Sequence, residues 1–150
     1  MRRLLLGLTL LVSSLGLAGC DEKLSSIAGP TPTLEPTFAS IQRDIFQTTD
    51  AAGRTSCVTC HTSAGGRTPP QGLNLLPDAA YGLLVGVASR EKPGLLRVAP
   101  GDPENSYVIH KLEGRSDIVG LRMPRNGPPY LTDGQIRIIR RWIEIGAPNN

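Results

Sequence analysis

Two cysteines and a histidine lie within five residues of this chain, from Cys57 to His61, in the sequence CVTCH. A group held by these side chains would organise the surrounding chain around itself, so this motif constrains the fold more than any other segment. Three kinds of site use such a pattern: a structural zinc site, a redox-active pair of thiols, and the covalent attachment site of a c-type haem. The rest of the sequence is needed to decide between them.

The N-terminal sequence MRRLLLGLTLLVSSLGLAGC predicts export. Two arginines precede an apolar run from Leu4 to Val12, and small residues follow it, which is typical of a secretory signal peptide and too short for a membrane-spanning helix. The ending LAGC resembles the lipobox of bacterial lipoproteins, which implies removal of residues 1–19 and acylation of Cys20. An uncleaved anchor and an ordinary signal with a chance cysteine are the alternatives. Because several acyl chains hold a protein firmly, we expect lipid anchorage in the cell envelope, on the periplasmic side.

Residues 20–37 form the expected lipidated N-terminus and flexible tether, because the sequence is rich in Pro, Ser and Thr and has no apolar period. The remaining residues, 38–150, are expected to fold as one domain. Loss of Arg2 and Arg3 with the leader brings the mature chain close to neutrality. Since that chain has no basic run and aromatic residues make up only 4% of the sequence, nothing in it indicates nucleic-acid binding.

The sequence of residues 38–150 predicts an all-α domain of about four short helices with long loops. The first starts after Pro36, with Phe38, Ile41 and Ile45 on one face. A second is predicted with Asp78 as N-cap, and its apolar side comprises Ala80, Tyr81, Leu84 and Val85. We expect the first and last helices to cross, with an apolar group against both.

The third and fourth helices carry terminal signals. In GDPENSYVIHKLEG, Asp102 is the expected N-cap, Pro103 the first helical residue, and Gly114 the end. The fourth begins with a capping-box pattern, Thr132 and Gln135, and Gly146 and Pro148 are expected to stop it. Its apolar arc comprises Ile136, Ile138, Ile139, Trp142, Ile143 and Ile145, and the opposite arc comprises Arg137, Arg140, Arg141 and Glu144.

Ligand supply favours haem over the other two chemistries. Structural zinc needs four ligands, but once Cys20 is acylated the mature chain offers two cysteines and, besides His61, one further histidine, His110. A thioredoxin-like dithiol would need a βαβ pattern, and the sequence shows none. In c-type haem attachment, Cys57 and Cys60 each bond one vinyl group and His61 binds the iron. Export agrees with this interpretation, because haem c is attached outside the cytoplasmic membrane.

Met123 is the favoured second axial ligand. It is the only methionine of the mature chain, and it lies in a Gly/Pro-rich loop in which the following Pro124 favours an extended backbone. His110 is predicted to face water, because it lies opposite the apolar side of the third helix. An open or water-bound position and ligation by His110 remain as alternatives, and Met123 could instead be a gap-filling core residue.

The haem motif after an amphipathic helix, RMP about sixty residues later and the closing helix resemble the class I cytochrome c fold. The segments GDPENSYVIHKLEG and RMPRNGPPYLTDGQIRIIRRWIEIGAP resemble the small c-type cytochrome domains of exported bacterial proteins. This resemblance implies an all-α fold around one covalent haem c on Cys57 and Cys60, with His61 and Met123 as axial ligands. The stretch TSAGGRTPPQGLNLL after the motif departs from the pattern, which leaves the proximal wall undefined.

An iron with a protein ligand on each side exchanges electrons without binding substrate, so the sequence predicts a carrier of single electrons between redox proteins of the envelope, not an enzyme. The alternatives are a haem module that senses a small ligand or redox state, a haem subunit of a larger oxidoreductase, and a haem-free lipoprotein with a reducible cysteine pair. Four arginines are candidate partners of the haem propionates: Arg122 and Arg125, which are favoured, and Arg54 and Arg67. The arginines of the last helix are expected to form a solvated face.

Overall fold

A computed structural model describes residues 33–150 of the chain. The predictions for the leader, for acylation of Cys20 and for most of the tether fall outside this range. Within it, the regular elements are helices and short helical turns, and strand-like pairing is confined to isolated bridges such as Val85 with Val98 and Leu96 with Ser106. The expectation of an all-α chain with few helices is confirmed in this coarse form. None of the described helices is long and apolar enough to cross a membrane.

Four α-helices follow one another: α1 (Phe38–Ile41), α2 (Ala80–Leu84), α3 (Tyr107–Glu113) and α4 (Asp133–Glu144). Helix α1 continues directly into a π-helical turn, Gln42–Phe46. Three 3₁₀ turns lie in the first half of the domain: Cys57–Thr59, Ala64–Gly66 and Pro70–Gly72. The long connections between the α-helices contain the cysteine motif and Met123.

Helices α1 and α4 meet in the core, as predicted. Thr37 caps α1 by accepting a hydrogen bond from Ser40 N at 3.2 Å. The Phe38 ring packs on Trp142 of α4 with ring centroids 5.6 Å apart, and Asn150 O accepts from Ala39 N at 2.8 Å. The core around this crossing includes Ile41, Ile45, Leu84, Ile109, Ile136, Ile139 and Ile143.

The capping box of α4 is present as predicted. Thr132 Oγ1 accepts from Gln135 N at 3.2 Å, and Gln135 Oε1 accepts from Thr132 N at 3.0 Å. Trp142 is almost completely buried and donates from Nε1 to Pro148 O at 2.9 Å. The assignment of Ile145 to the apolar arc was wrong: it follows the last helical residue, leaves the helical path, and is 47% exposed.

The predicted start of the third helix was also wrong. Asp102 accepts from Asn105 N at 3.1 Å and so holds a turn, while α3 begins four residues beyond Pro103, at Tyr107. The reason lies in a neighbouring segment: Leu96 O and Arg97 O accept from the N–H groups of Tyr107 and Val108, which would otherwise be unpaired at the helix start. Similarly, Asp78 is exposed and makes no cap for α2, whose N-cap position is Ala79.

Gly114 ends α3 as predicted, in the left-handed region at φ 72°. The position also needs glycine for space, since a Cβ there would lie 2.8 Å from the Arg122 Cδ atom. This close approach brings the segment that precedes Met123 against the end of α3.

Candidate functional site

The cysteine motif is folded as a tight turn. The N–H groups of Cys60 and His61 both donate to Cys57 O, at 3.2 and 2.9 Å. Cys57 begins the 3₁₀ turn, and Cys60 directly follows its last residue. Both thiols are free and form no disulfide. The turn therefore carries two free cysteines, with His61 directly after them.

The two thiols differ in environment. Cys60 is exposed, whereas Cys57 packs against the core and directs its Sγ atom toward Ile45 O at 3.7 Å. Burial raises the pKa of the Cys57 thiol to about 11. A catalytic dithiol works through a thiolate with a depressed pKa, so this environment opposes the thioredoxin-like alternative.

His61 is held by the stretch that follows the motif. Its Nδ1 atom lies 3.2 Å from Leu73 O, and because a carbonyl oxygen can only accept, the ring proton is assigned to Nδ1. Leu75 N donates to His61 O at 2.9 Å. The Gly/Pro-rich stretch 62–76 thus returns along His61 and contacts both its ring and its main chain.

This arrangement leaves the other ring nitrogen of His61 available. None of the described residues forms a hydrogen bond to Nε2, and burial lowers the pKa of His61, which favours the neutral imidazole. A neutral histidine with its Nδ1–H fixed on a carbonyl and its Nε2 lone pair free is the usual form of a metal-binding imidazole.

Met123 is anchored to helix α3. Its N–H donates to Lys111 O at 2.9 Å, and the preceding Arg122 donates from Nε to Leu112 O at 2.8 Å. The Met123 side chain is half-buried and packs against the same core as Cys57 and Val58. Met123 therefore lies where the core reaches the surface.

A second anchor joins the Met123 loop to the cysteine motif. Asn126 Nδ2 donates to Thr55 Oγ1 at 2.7 Å. Asn126 lies three residues after Met123, and Thr55 lies two residues before Cys57, so the hydrogen bond spans the two halves of the candidate site. The fold thus brings together what is separated by more than sixty residues in the sequence.

The segment that leads into Met123 is held by a network of hydrogen bonds to residues of α3. The buried Lys111 donates from Nζ to Val119 O at 2.8 Å and pairs with Glu91 at 3.1 Å. The Tyr107 hydroxyl accepts from Val119 N at 2.9 Å and donates to Glu91 Oε2 at 3.2 Å. These bonds fix both backbone polar groups of Val119 and so determine where the loop runs.

The prediction that His110 faces water was wrong, since it is buried. Its Nδ1 lies 2.9 Å from Asp117 Oδ2 and its Nε2 lies 2.6 Å from Glu104 O. The loop after α3 folds back over the polar side of the helix and buries His110. The prediction considered only the helical positions of α3, so it could not include burial by this loop. Both ring nitrogens are engaged, so iron ligation by His110 would require loss of both contacts.

The candidate propionate partners fall into two groups. Arg54 is fully buried: its Nε donates to Asp50 Oδ2 at 3.1 Å and its other nitrogens contact main-chain carbonyls of Ile45, Thr48 and Thr55. Its donors are used inside the protein. Arg122 is half-buried, with its guanidinium 4.1 Å from the centre of the Tyr130 ring. Arg125 is exposed, and the exposed Arg67 donates to Thr59 O at 3.0 Å.

The arginines of α4 are only partly a solvated face. Arg137 is exposed, whereas Arg140 is half-buried and pairs with Glu104 and, at 3.4 Å, with Glu113. These pairs connect α4 with α3 and with the turn that precedes it. The basic side of α4 is therefore occupied in part by contacts within the domain.

Several residues of the site carried no sequence signal. Leu73 contributes a backbone carbonyl, which any residue would supply, and Thr55 and Asn126 are polar residues in loops, where such residues are common.

Within residues 33–150, no three His, Cys, Asp or Glu side chains are grouped as metal ligands. Comparisons of the chain with protein-family models, curated proteins and solved structures found no match.

The donor set fits a c-type haem. Two unpaired thiols lie on one turn, a neutral imidazole with a free Nε2 follows them, and a thioether packs against the same core. These are the groups that such a haem requires from its protein.

Proposed function

We propose that this protein is an exported, lipid-tethered monohaem cytochrome c that carries single electrons between redox proteins of the cell envelope. Cys57 and Cys60 hold the haem, and His61 and Met123 are its axial ligands. The observation that supports this most directly is the state of His61: its Nδ1 is fixed on Leu73 O and its Nε2 is free, directly after two free thiols. The cytochrome c-like arrangement of the helices belongs to the same proposal.

Attachment requires only addition chemistry from the chain. Cys57 and Cys60 would hold the haem through two thioether bonds, each formed by addition of an S–H group across a vinyl group with no net oxidation. The shared turn supports this role, because the N–H groups of Cys60 and His61 both donate to Cys57 O and so keep the three residues together. Burial of Cys57 and exposure of Cys60 would place one bond at the core and the other at the surface.

The axial residues determine which reactions are possible. When bound, haem supplies a one-electron Fe(III)/Fe(II) couple. With His61 and Met123 as ligands, no position remains for oxygen or peroxide, and the thioether of Met123 favours the ferrous state. The anchors of Met123 on Lys111 O and of its loop on Thr55 support a ligand that is held in place during oxidation and reduction. This is the basis for proposing a carrier and not an enzyme.

The surface beside Met123 fits a transient redox partner. Val119 and Leu121 are 51% and 59% exposed, and Arg125 is exposed two residues beyond Met123. An apolar surface with charge beside it suits brief contact between electron-transfer proteins, whose interfaces are small. Acylation of Cys20 and the tether of residues 20–37 would let the domain reach such partners from the membrane.

The test is the visible and near-infrared spectrum of the ferric protein, produced in a host that attaches haem c, together with that of Met123→Ala. We expect a haem c spectrum with a methionine-to-iron charge-transfer band that disappears in the variant. His110→Ala is the matched control and should keep the band. A colourless wild-type protein would refute the haem proposal.

Carbon monoxide distinguishes the carrier from a ligand-binding module. A carrier with a firmly held Met123 should bind little carbon monoxide at neutral pH in the ferrous state, whereas Met123→Ala should bind it readily. Ready binding by the wild-type protein would contradict the carrier proposal and favour a haem module for a small ligand.

A further inference from the structure

Gln42 is a buried polar residue on an otherwise apolar face. It begins the π-helical turn after α1, between Ile41 and Ile45, which are 0% and 1% exposed, and it is itself 6% exposed. Its Nε2 donates to Leu75 O at 2.8 Å. A buried amide is retained where its hydrogen bond serves a purpose, because an apolar residue would pack at that position without a polar group to satisfy.

The partner of Gln42 leads directly to His61. Leu75 N donates to His61 O at 2.9 Å, and Leu73 O accepts the His61 Nδ1–H at 3.2 Å. The segment 73–75 thus contacts both the main chain and the ring of His61. Gln42 holds the same segment through the Leu75 carbonyl.

The second amide atom of Gln42 indicates which part of the side chain matters. Its Oε1 is buried and has no hydrogen-bond partner among the described residues. An unpaired buried oxygen is unfavourable, and leucine, of similar size, would avoid it. The donor Nε2 therefore explains the presence of glutamine better than packing does.

We propose that Gln42 is a positioning residue for His61. By holding the Leu75 carbonyl, it fixes the distance from Leu73 O to the His61 ring, and with it the tautomer, ring orientation and basicity of the imidazole. The hydrogen bond from His61 Nδ1 to Leu73 O can then keep its geometry, although Leu73 lies in a Gly/Pro-rich loop. The role in iron ligation rests on the proposed function, whereas the effect on the ring proton does not.

The test compares Gln42→Leu with Gln135→Leu. Gln135 is a matched control because it is also a buried glutamine with one amide atom bonded to the main chain and the other, Nε2, unpartnered, but it lies at the start of α4 and its hydrogen bonds are to Thr132. Gln42→Met provides a second, unbranched replacement if the leucine variant does not fold. Each protein is prepared with haem attached and reduced, so that the iron is diamagnetic.

The first readout is solvent exchange of the His61 Nδ1–H proton, followed by NMR. We expect it to be about tenfold faster in Gln42→Leu than in wild type, the factor for loss of one hydrogen bond, and unchanged in Gln135→Leu. The second readout is the reduction potential, which should rise in Gln42→Leu because a weaker Nδ1–H contact makes the imidazole a poorer electron donor to iron. Unchanged exchange in both Gln42 variants, or equal acceleration in Gln135→Leu, would overturn the proposal.

Failure of the proposed function would be recognised separately, as a wild-type protein without haem. The ring tautomer of His61 can then be read from its ¹⁵N shifts in the colourless protein. A lower Nδ1–H fraction in Gln42→Leu than in wild type would support the positioning role, and an equal fraction would overturn it.

Discussion

Asn126 and Thr55 connect the two parts of the candidate site through a hydrogen bond of 2.7 Å between Asn126 Nδ2 and Thr55 Oγ1. The bond is exposed, so its net contribution is modest, about 0.5–1.5 kcal/mol. Its position matters more than its strength, because it ties the loop of Met123 to the residues that lead into Cys57. Together with the bond from Met123 N to Lys111 O, it holds the loop at two points.

We therefore expect Asn126→Ala to loosen Met123 without unfolding the domain. The methionine-to-iron band should weaken, and affinity of the ferrous protein for carbon monoxide should rise about 3- to 10-fold, which corresponds to the loss of one such bond. Thr55→Val should have the same effect, and the double variant should add little. Asn149→Ala, the same substitution at an exposed asparagine outside this loop, is the control, and an equal change in that variant would contradict the role of the hydrogen bond.

Arg54 should be among the most important residues for stability. Its side chain is 0% exposed and that of its partner Asp50 is 5% exposed. Replacement by glutamine would leave a buried carboxylate without its charge partner, which costs about 3–5 kcal/mol in typical proteins. We expect a fall of that size in the free energy of unfolding, measured in urea.

Two further variants test this interpretation of Arg54. Arg67→Gln removes an exposed arginine of the same region and should change the free energy of unfolding by less than about 0.5 kcal/mol. The double variant Arg54→Gln/Asp50→Asn should recover part of the loss, because no isolated charge remains buried. A loss below about 1 kcal/mol for Arg54→Gln would show that the pair is dispensable.

Asp117 should make stability depend on pH in the acid range. Hydrogen bonding to Lys92, with that to His110, lowers the pKa of Asp117 to about 2, from an ordinary value of 3.8. Between these values the unfolded chain binds more protons than the folded one, so the stabilisation is present above about pH 4 and is lost as the pH falls toward 2.

The measurement is the midpoint of urea unfolding between pH 5 and pH 2, for wild type and Asp117→Asn. We expect the wild-type midpoint to fall more steeply across this window, whereas the variant, which lacks the titrating group, should start lower and change less. Parallel curves would show that Asp117 does not contribute. Asp133→Asn, at an exposed position on α4, is the control and should follow the wild-type slope.

Local sequence signals predicted the helix ends where the deciding contacts are local. The capping box of Thr132 and Gln135 and the left-handed Gly114 depend on residues within a few positions, and both are present. Asp102 failed as an N-cap because the first N–H groups of α3 are satisfied by Leu96 O and Arg97 O, which belong to a neighbouring segment outside the helix. Helix propensity depends on residue type, so it could not predict these hydrogen bonds to another segment.

The same distinction applies to the candidate site. The types and spacing of Cys57, Cys60 and His61 are visible in the sequence, and the structure adds that the thiols are free and that the His61 ring is fixed through Nδ1. The burial of His110 and the contact of Asn126 with Thr55 could not be predicted, because each depends on how a long loop folds back. A pattern along the chain identifies the donors but not the loops that orient them.

Tyr107 provides the remaining test, of the segment that leads into Met123. Its hydroxyl accepts from Val119 N and donates to Glu91, so Tyr107→Phe removes two hydrogen bonds while keeping the aromatic ring. We expect a loss of about 1–3 kcal/mol in the free energy of unfolding, from two bonds of ordinary strength. Because Lys111 still holds Val119 O and Met123 N still contacts Lys111 O, the methionine-to-iron band should persist. Imidazole should displace the Met123 ligand at a lower concentration than in wild type.

Lys111→Met should act more strongly, since it removes the Nζ contact with Val119 O and leaves Glu91 without its positive partner. A Tyr107→Phe protein with wild-type resistance to imidazole would show that the loop is held by Lys111 and Asn126 alone.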